Sequence, residues 1–147
     1  MRYLRLGVLT VATVGIVSCS PPSRLTETSA VEPSPEARLQ QIPPADPQKY
    51  AGMRDMKEWR NPYLIVQANG VALLDAANHE EHLLKPQELP EALAKLPLSA
   101  WPYGRVVVVT ENVVRATGDD ALIRKNRGII AGTLENLHIL IHWVPSA

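Results

Sequence analysis

The sequence predicts a small α/β protein, a two-layer sandwich of order β-β-α-β-α-β in which a four-stranded mixed sheet carries two helices on one face. Three observations lead there. Two apolar stretches flank Asn69-Gly70, a continuous β-branched run stands at RVVVVTEN, and two segments carry leucine and isoleucine at helical spacing. A strand, a helix and a strand in succession favour a parallel crossover, which places both helices on the same side.

The first strands come from PYLIVQANGVALLDA. Asn-Gly suits a type I′ hairpin because both central residues must take positive φ, so the turn is expected at Asn69-Gly70. NHEEHLLK then reads as a solvated polar loop. PQELPEALAKL follows, with Leu89, Leu93 and Leu96 on one helical stripe and Pro90 tolerable only in the first turn. Pro97, Pro102 and Gly104 mark a loop that carries Trp101 and Tyr103. RVVVVTEN is expected as an inner strand, since unbroken β-branched residues suit a strand covered on both faces. Asp119-Asp120 then place carboxylates where a helix begins. In DALIRKNRGIIAGTLENL, Ile123, Ile130, Leu134 and Leu137 share a side, and Gly128 and Gly132 are expected to permit close approach to the sheet. HILIHWV closes the chain as a strand with Ile139, Ile141 and Trp143 on one face and His138, Leu140 and His142 on the other.

The preceding sequence divides into two further regions, giving expected boundaries at 1–18, 19–49 and 50–147. Residues 50–60, YAGMRDMKEWR, read as a short helix or as a loop folded over the domain. Residues 20–49 are rich in Pro, Ser, Glu and Gln and poor in aliphatics, the composition of a disordered, semi-rigid tether. Arg2 and Arg5 precede an uncharged run over 6–17, the order of an export leader, and the run is too short to span a hydrocarbon core of about 30 Å.

Ile16-Val17-Ser18-Cys19 resembles the lipobox of bacterial lipoproteins. The resemblance implies that the Cys19 thiol receives a diacylglycerol, that residues 1–18 are removed, and that the new amine is acylated with a palmitate-type chain. Several acyl chains together hold a membrane firmly, which one chain does not. Ser20 after the cysteine implies, within that family, the outer membrane and a domain facing the periplasm. The competing readings are an ordinary secretory leader that leaves Cys19 as a free thiol, and an uncleaved anchor. From the Asn-Gly hairpin, the leucine-rich first helix and the element order, residues 62–145 resemble the periplasmic domain of the ExbD/TolR biopolymer-transport family. That likeness implies a periplasmic binding domain; the family's membrane helix with its essential aspartate has no counterpart in the leader.

Charge and motifs bound the chemistry. Lysine and arginine total 15 against 15 acidic residues, so the net charge supplies no drive toward nucleic acid. One cysteine permits no intrachain disulfide. No G-x-S-x-G or phosphate-binding glycine loop is present, and Ser99 and Ser146 stand in no catalytic context. His79 and His82 in NHEEH, with His138 and His142, form the one candidate metal-ligand set, and it lacks HExxH spacing. Asp119-Asp120 read as a helix start rather than an acid/base pair. Arg124, Lys125 and Arg127 read as a wet helix face, with contact to peptidoglycan or acidic lipid as the alternative. Trp101, Tyr103 and Trp143 either anchor a partner or cap the core.

The expectation is therefore a lipid-anchored, non-catalytic binding or adaptor domain for an envelope protein or polymer, with no cofactor, metal or nucleic acid. The alternative is a metal-dependent or hydrolytic envelope enzyme in which His79, His82, His138 and His142 converge. A structural or assembly factor without a small ligand is the third reading.

Overall fold

The structure, a computed structural model, describes residues 32–53, 56–74, 80–112 and 119–145. Residues 32–147 form one compact unit. Its strands are β1 (Tyr63–Gln67), β2 (Gly70–Leu74), β3 (Glu81–Leu84), β4 (Val106–Glu111) and β5 (Leu140–Trp143). Its α-helices are α1 (Pro35–Leu39), α2 (Leu89–Lys95) and α3 (Asp120–Asn136). The mixed α/β character holds, but among the described residues the sheet has five strands in the order β3-β2-β1-β4-β5 and there are three α-helices, not four and two. β1–β2 and β2–β3 pair antiparallel, whereas β1–β4 and β4–β5 pair parallel.

The additional strand, β3, comes from the segment expected as a polar loop. Glu81, His82 and Leu83 are all exposed, so an outer strand with little to bury has no alternation to betray it. The hairpin turn also shifts by one residue. Gln67 pairs with Gly70, which leaves Ala68-Asn69 as the turn, and Asn69 does not take the positive φ of a type I′ turn. Gly70 serves a different purpose: a Cβ there would collide with the Leu84 carbonyl oxygen of β3.

The central position of β4 explains its composition. Val107 and Val109 join Leu64, Val66, Val71 and Leu73 beneath the helices, while Val106 and Val108 face a second cluster with Tyr50 and Trp59. All three helices feed the first cluster: Leu39 from α1, Leu89 and Leu93 from α2, and Ile123, Ile130 and Leu134 from α3. Gly128 and Gly132 do not mediate the expected close approach, since a Cβ at either would meet nothing within 4 Å. Helix α3 ends in a Schellman motif. Ile139 N–H donates to the Leu134 carbonyl and His138 N–H to that of Glu135, with His138 left-handed at φ 56° where glycine is usual.

The expected tether, 19–49, is not extended over residues 32–49. Ser34 caps α1 by accepting from Ala37 N–H, Pro35 opens the helix, and Leu39 and Ile42 enter the helix-side core. At Pro43-Pro44 the chain crosses the lower end of the sheet, with Arg105 N–H donating to the Pro43 carbonyl and Pro44 bridging Arg105. Ala45, Tyr50, Met53 and Trp59 then cover the opposite face of β4 and β5, in the manner of the loop expected over residues 50–60. Gly104 permits the crossing: at φ 78° it is left-handed, and a Cβ would strike the Pro44 carbonyl oxygen.

An ion pair holds α1 to α2. Arg38 donates to both carboxylate oxygens of Glu91 at 2.9 and 2.8 Å, and Lys95 stands 3.5 Å from the same group. The Arg38 hydrogen bonds, aided by both cations, hold the Glu91 carboxyl below the ordinary carboxylate range. A lowered folded value contributes stability above the ordinary unfolded value, lost as pH falls through the folded one. The parent should therefore lose stability more steeply than Glu91→Gln when urea midpoints are followed from about pH 7 to about pH 3. Parallel curves would show that the pair contributes nothing.

Candidate functional site

The directions of the chain create the site. From the C-terminal end of β1 the backbone turns at Ala68-Asn69 to β2 on one side, and from the end of β4 it proceeds to α3 and β5 on the other. Adjacent parallel strands whose connections depart in opposite directions leave a crevice beyond their carboxyl ends. Here it is a cleft of about 500 Å³. Gln67, Ala68 and Asn69 supply one wall, Asn112 the end of β4, and Asp119, Leu122 and Ile123 the first turn of α3.

Two clamps hold those walls. Asn126 of α3 donates to the Gln67 and Ala68 carbonyls at 2.8 and 3.1 Å, which fixes the β1–β2 turn against the helix. One residue on, Arg127 pairs with Glu111 of β4 at 2.8 Å and lies 4.5 Å from the ring centre of Trp143 on β5. Within the cleft the side chains of Asn69, Asn112 and Asp119 have no hydrogen-bond partner among the described residues, and Asp119 does not cap its own helix with its carboxylate. Gln67 commits its Nε2 to Glu81 at 3.1 Å. Ile123 is buried at the back and Leu122 is half exposed at the mouth. The described side chains of the cleft offer hydrogen-bond donors and acceptors, and none of them is an activated nucleophile.

The sequence-derived candidates fall elsewhere. Cys19 and His79 lie outside the described residues. His82 stands on β3, opposite Leu73 and therefore on the helix side, whereas His142 stands on β5 opposite Val108 on the other side. Four strand spacings, roughly 19 Å, separate those strands. His138 is occupied as a helix terminator. The structure thus does not bring these three histidines together. Among the described residues no three His, Cys, Asp or Glu side chains form a group able to hold a metal ion.

His142 belongs instead to an aromatic cluster, stacked on Trp59 at 5.9 Å and edge-on to Tyr50 at 6.1 Å. Tyr103 joins it at 5.2 Å from Trp59 and donates its hydroxyl to the Glu58 carbonyl. Burial, and then the negative charge of Asp46, push the Tyr50 hydroxyl above its ordinary value. The cluster fastens Tyr50, Trp59 and Tyr103 to the sheet. Trp101, Tyr103 and Trp143 accordingly do not form one anchor: Trp101 is buried under the helices, Tyr103 lies in the aromatic cluster, and Trp143 supports Arg127. Arg124 and Lys125 are exposed, as a wet helix face requires. Asp119 and Asp120 do begin α3.

Asn69 and Asn112 had no place among the sequence candidates. Each reads as a turn or strand-end residue until the strand order makes them neighbours. Compared with family models, curated proteins and solved structures, the chain has no match.

Proposed function

We propose that the chain is a lipoprotein of the bacterial envelope, anchored through Cys19, whose folded unit is non-catalytic and serves as a binding or adaptor module for another protein or an envelope polymer.

 The single observation that carries this reading is the outer edge of β5. Leu140 N–H donates to the Arg105 carbonyl just ahead of β4 and Val144 N–H to that of Val109 within it, so the alternate residues Ile141 and Trp143 direct their backbone groups outward. The strand is Leu-Ile-His-Trp, without the lysine or proline that blunts exposed edges, and Leu140 is 49% and Trp143 37% exposed. The other outer strand, β3, begins with a glutamate. An extended segment of a partner protein added to β5 would gain main-chain hydrogen bonds and two apolar contacts.

The lipid anchor rests on the lipobox resemblance. Mass spectrometry of the mature protein should find residues 1–18 absent and acyl mass on Cys19; an intact leader with a bare thiol would overturn the anchor. For the module, detergent extracts should yield a partner with the parent chain that is lost with Leu140→Lys, a surface change expected to leave thermal unfolding within about 0.5 kcal/mol of the parent. Equal recovery by both chains would remove the strand-addition reading.

A further inference from the structure

We propose that the cleft between the ends of β1 and β4 binds a neutral saccharide unit. This rests on the reading of the chain as a binding module and gives its polymer arm a chemistry. Sugar hydroxyls both donate and accept, so they are matched by side chains that do the same. Asn69 and Asn112 each present a carboxamide with two donors and an acceptor, and Asp119 adds two acceptor oxygens, all without an internal partner among the described residues. Leu122 and Ile123 provide an aliphatic surface for the C–H face of a pyranose ring. The volume, about 500 Å³, lies within the range of small-molecule sites.

Charge narrows the class. No basic side chain lines the cleft among the described residues, and Asp119 contributes a negative group with Asp120 beside it. Among the described side chains a phosphate or an acidic lipid headgroup would meet a carboxylate and no counter-charge. Peptides are disfavoured for a different reason. β1 lies between β2 and β4, and β4 between β1 and β5, so the strands that end at the cleft have no free edge on which an extended chain could form a ladder. Hydroxyl recognition uses side chains alone, which is what the cleft supplies.

The test is a titration of the isotopically labelled full chain in detergent with cellotriose, maltotriose and chitotriose, and with sodium phosphate and trialanine as controls. The expected result is saturable movement of the Asn69 and Asn112 side-chain amide signals with at least one trisaccharide and with neither control. Asn112→Ala should weaken that binding about fivefold, the loss of one hydrogen bond, with thermal unfolding unchanged. Asp119→Asn, which keeps the shape and removes the charge, should leave phosphate without effect. No movement with any of the three sugars at about 10 mM, or movement with a control instead, overturns the proposal. So does sugar binding that Asn112→Ala leaves intact. Leu140→Lys separates the two readings: it should abolish partner capture and leave the sugar titration unchanged, so failure at the cleft does not imply failure at the edge.

Discussion

Leu39→Ala should lower the unfolding free energy of the full chain by about 3 kcal/mol, the cost of truncating a leucine in a closed core. The residue lies in a stretch whose composition reads as a spacer, and a spacer leucine would cost almost nothing to remove. Its side chain is fully buried, in one cluster with Leu89 and Leu93 of α2 and Leu137 and Ile139 beyond α3. Removing three carbons there forfeits their transfer from water and leaves a cavity that α1, pinned to α2 by Arg38 and Glu91, cannot collapse to fill. Urea unfolding measures the effect as a fall in midpoint at unchanged slope. A loss below about 0.5 kcal/mol, typical of an exposed site, would show that residues 32–42 do not belong to the folded unit.

Asn61→Ala should be as damaging, by a different mechanism. Asn61 is 2% exposed and makes three hydrogen bonds: its Nδ2 donates to the Gly104 and Val106 carbonyls at 2.7 Å each, and its Oδ1 accepts from Tyr103 N–H at 2.9 Å. One side chain thereby ties the entry to β1 to the loop that leads into β4. Alanine would strand the Tyr103 N–H and the Val106 carbonyl away from water, while the Gly104 carbonyl keeps the Val106 N–H; each buried group left unpaired costs about 1–3 kcal/mol, so a total near 3 kcal/mol is expected. A urea midpoint equal to the parent's would refute the bridging role of Asn61.

The parts of the fold that could be read from sequence are those where the local pattern and the tertiary environment agree. Val106 to Val109 read as an inner strand because both their faces are covered, and Leu89, Leu93, Ile123, Ile130 and Leu134 read as helix stripes because one core receives them all. Where a segment buries little, the pattern disappears, as in β3. Helix α1 was hidden for a related reason: only Leu39 and Ile42 of its neighbourhood are buried, too few to offset the surrounding Pro, Glu and Gln, although Ser34 and Pro35 gave a start signal. Asn69-Gly70 misplaced the turn because glycine answered a contact with β3, which no hairpin rule contains.

The candidate site was less legible than the fold. Its walls come from residues near 68, 112 and 122, and nothing local says that these meet; β1 and β4 become neighbours only in the finished sheet. The same knowledge separates His82 from His142, which a one-dimensional reading is free to bring together.

The passage of the chain around the lower end of the sheet has a mechanical consequence. A pull applied ahead of Glu32 would act first on α1 and would have to draw Leu39 and Ile42 from under the helices, then break the Pro43–Arg105 contact, before tension reached β1. The wrap works as strain relief, like a cable wound once about a post before its terminal. A jolt arriving from the N-terminal side would be spent on that winding, while the strands and the cleft at the far end of the sheet stay slack.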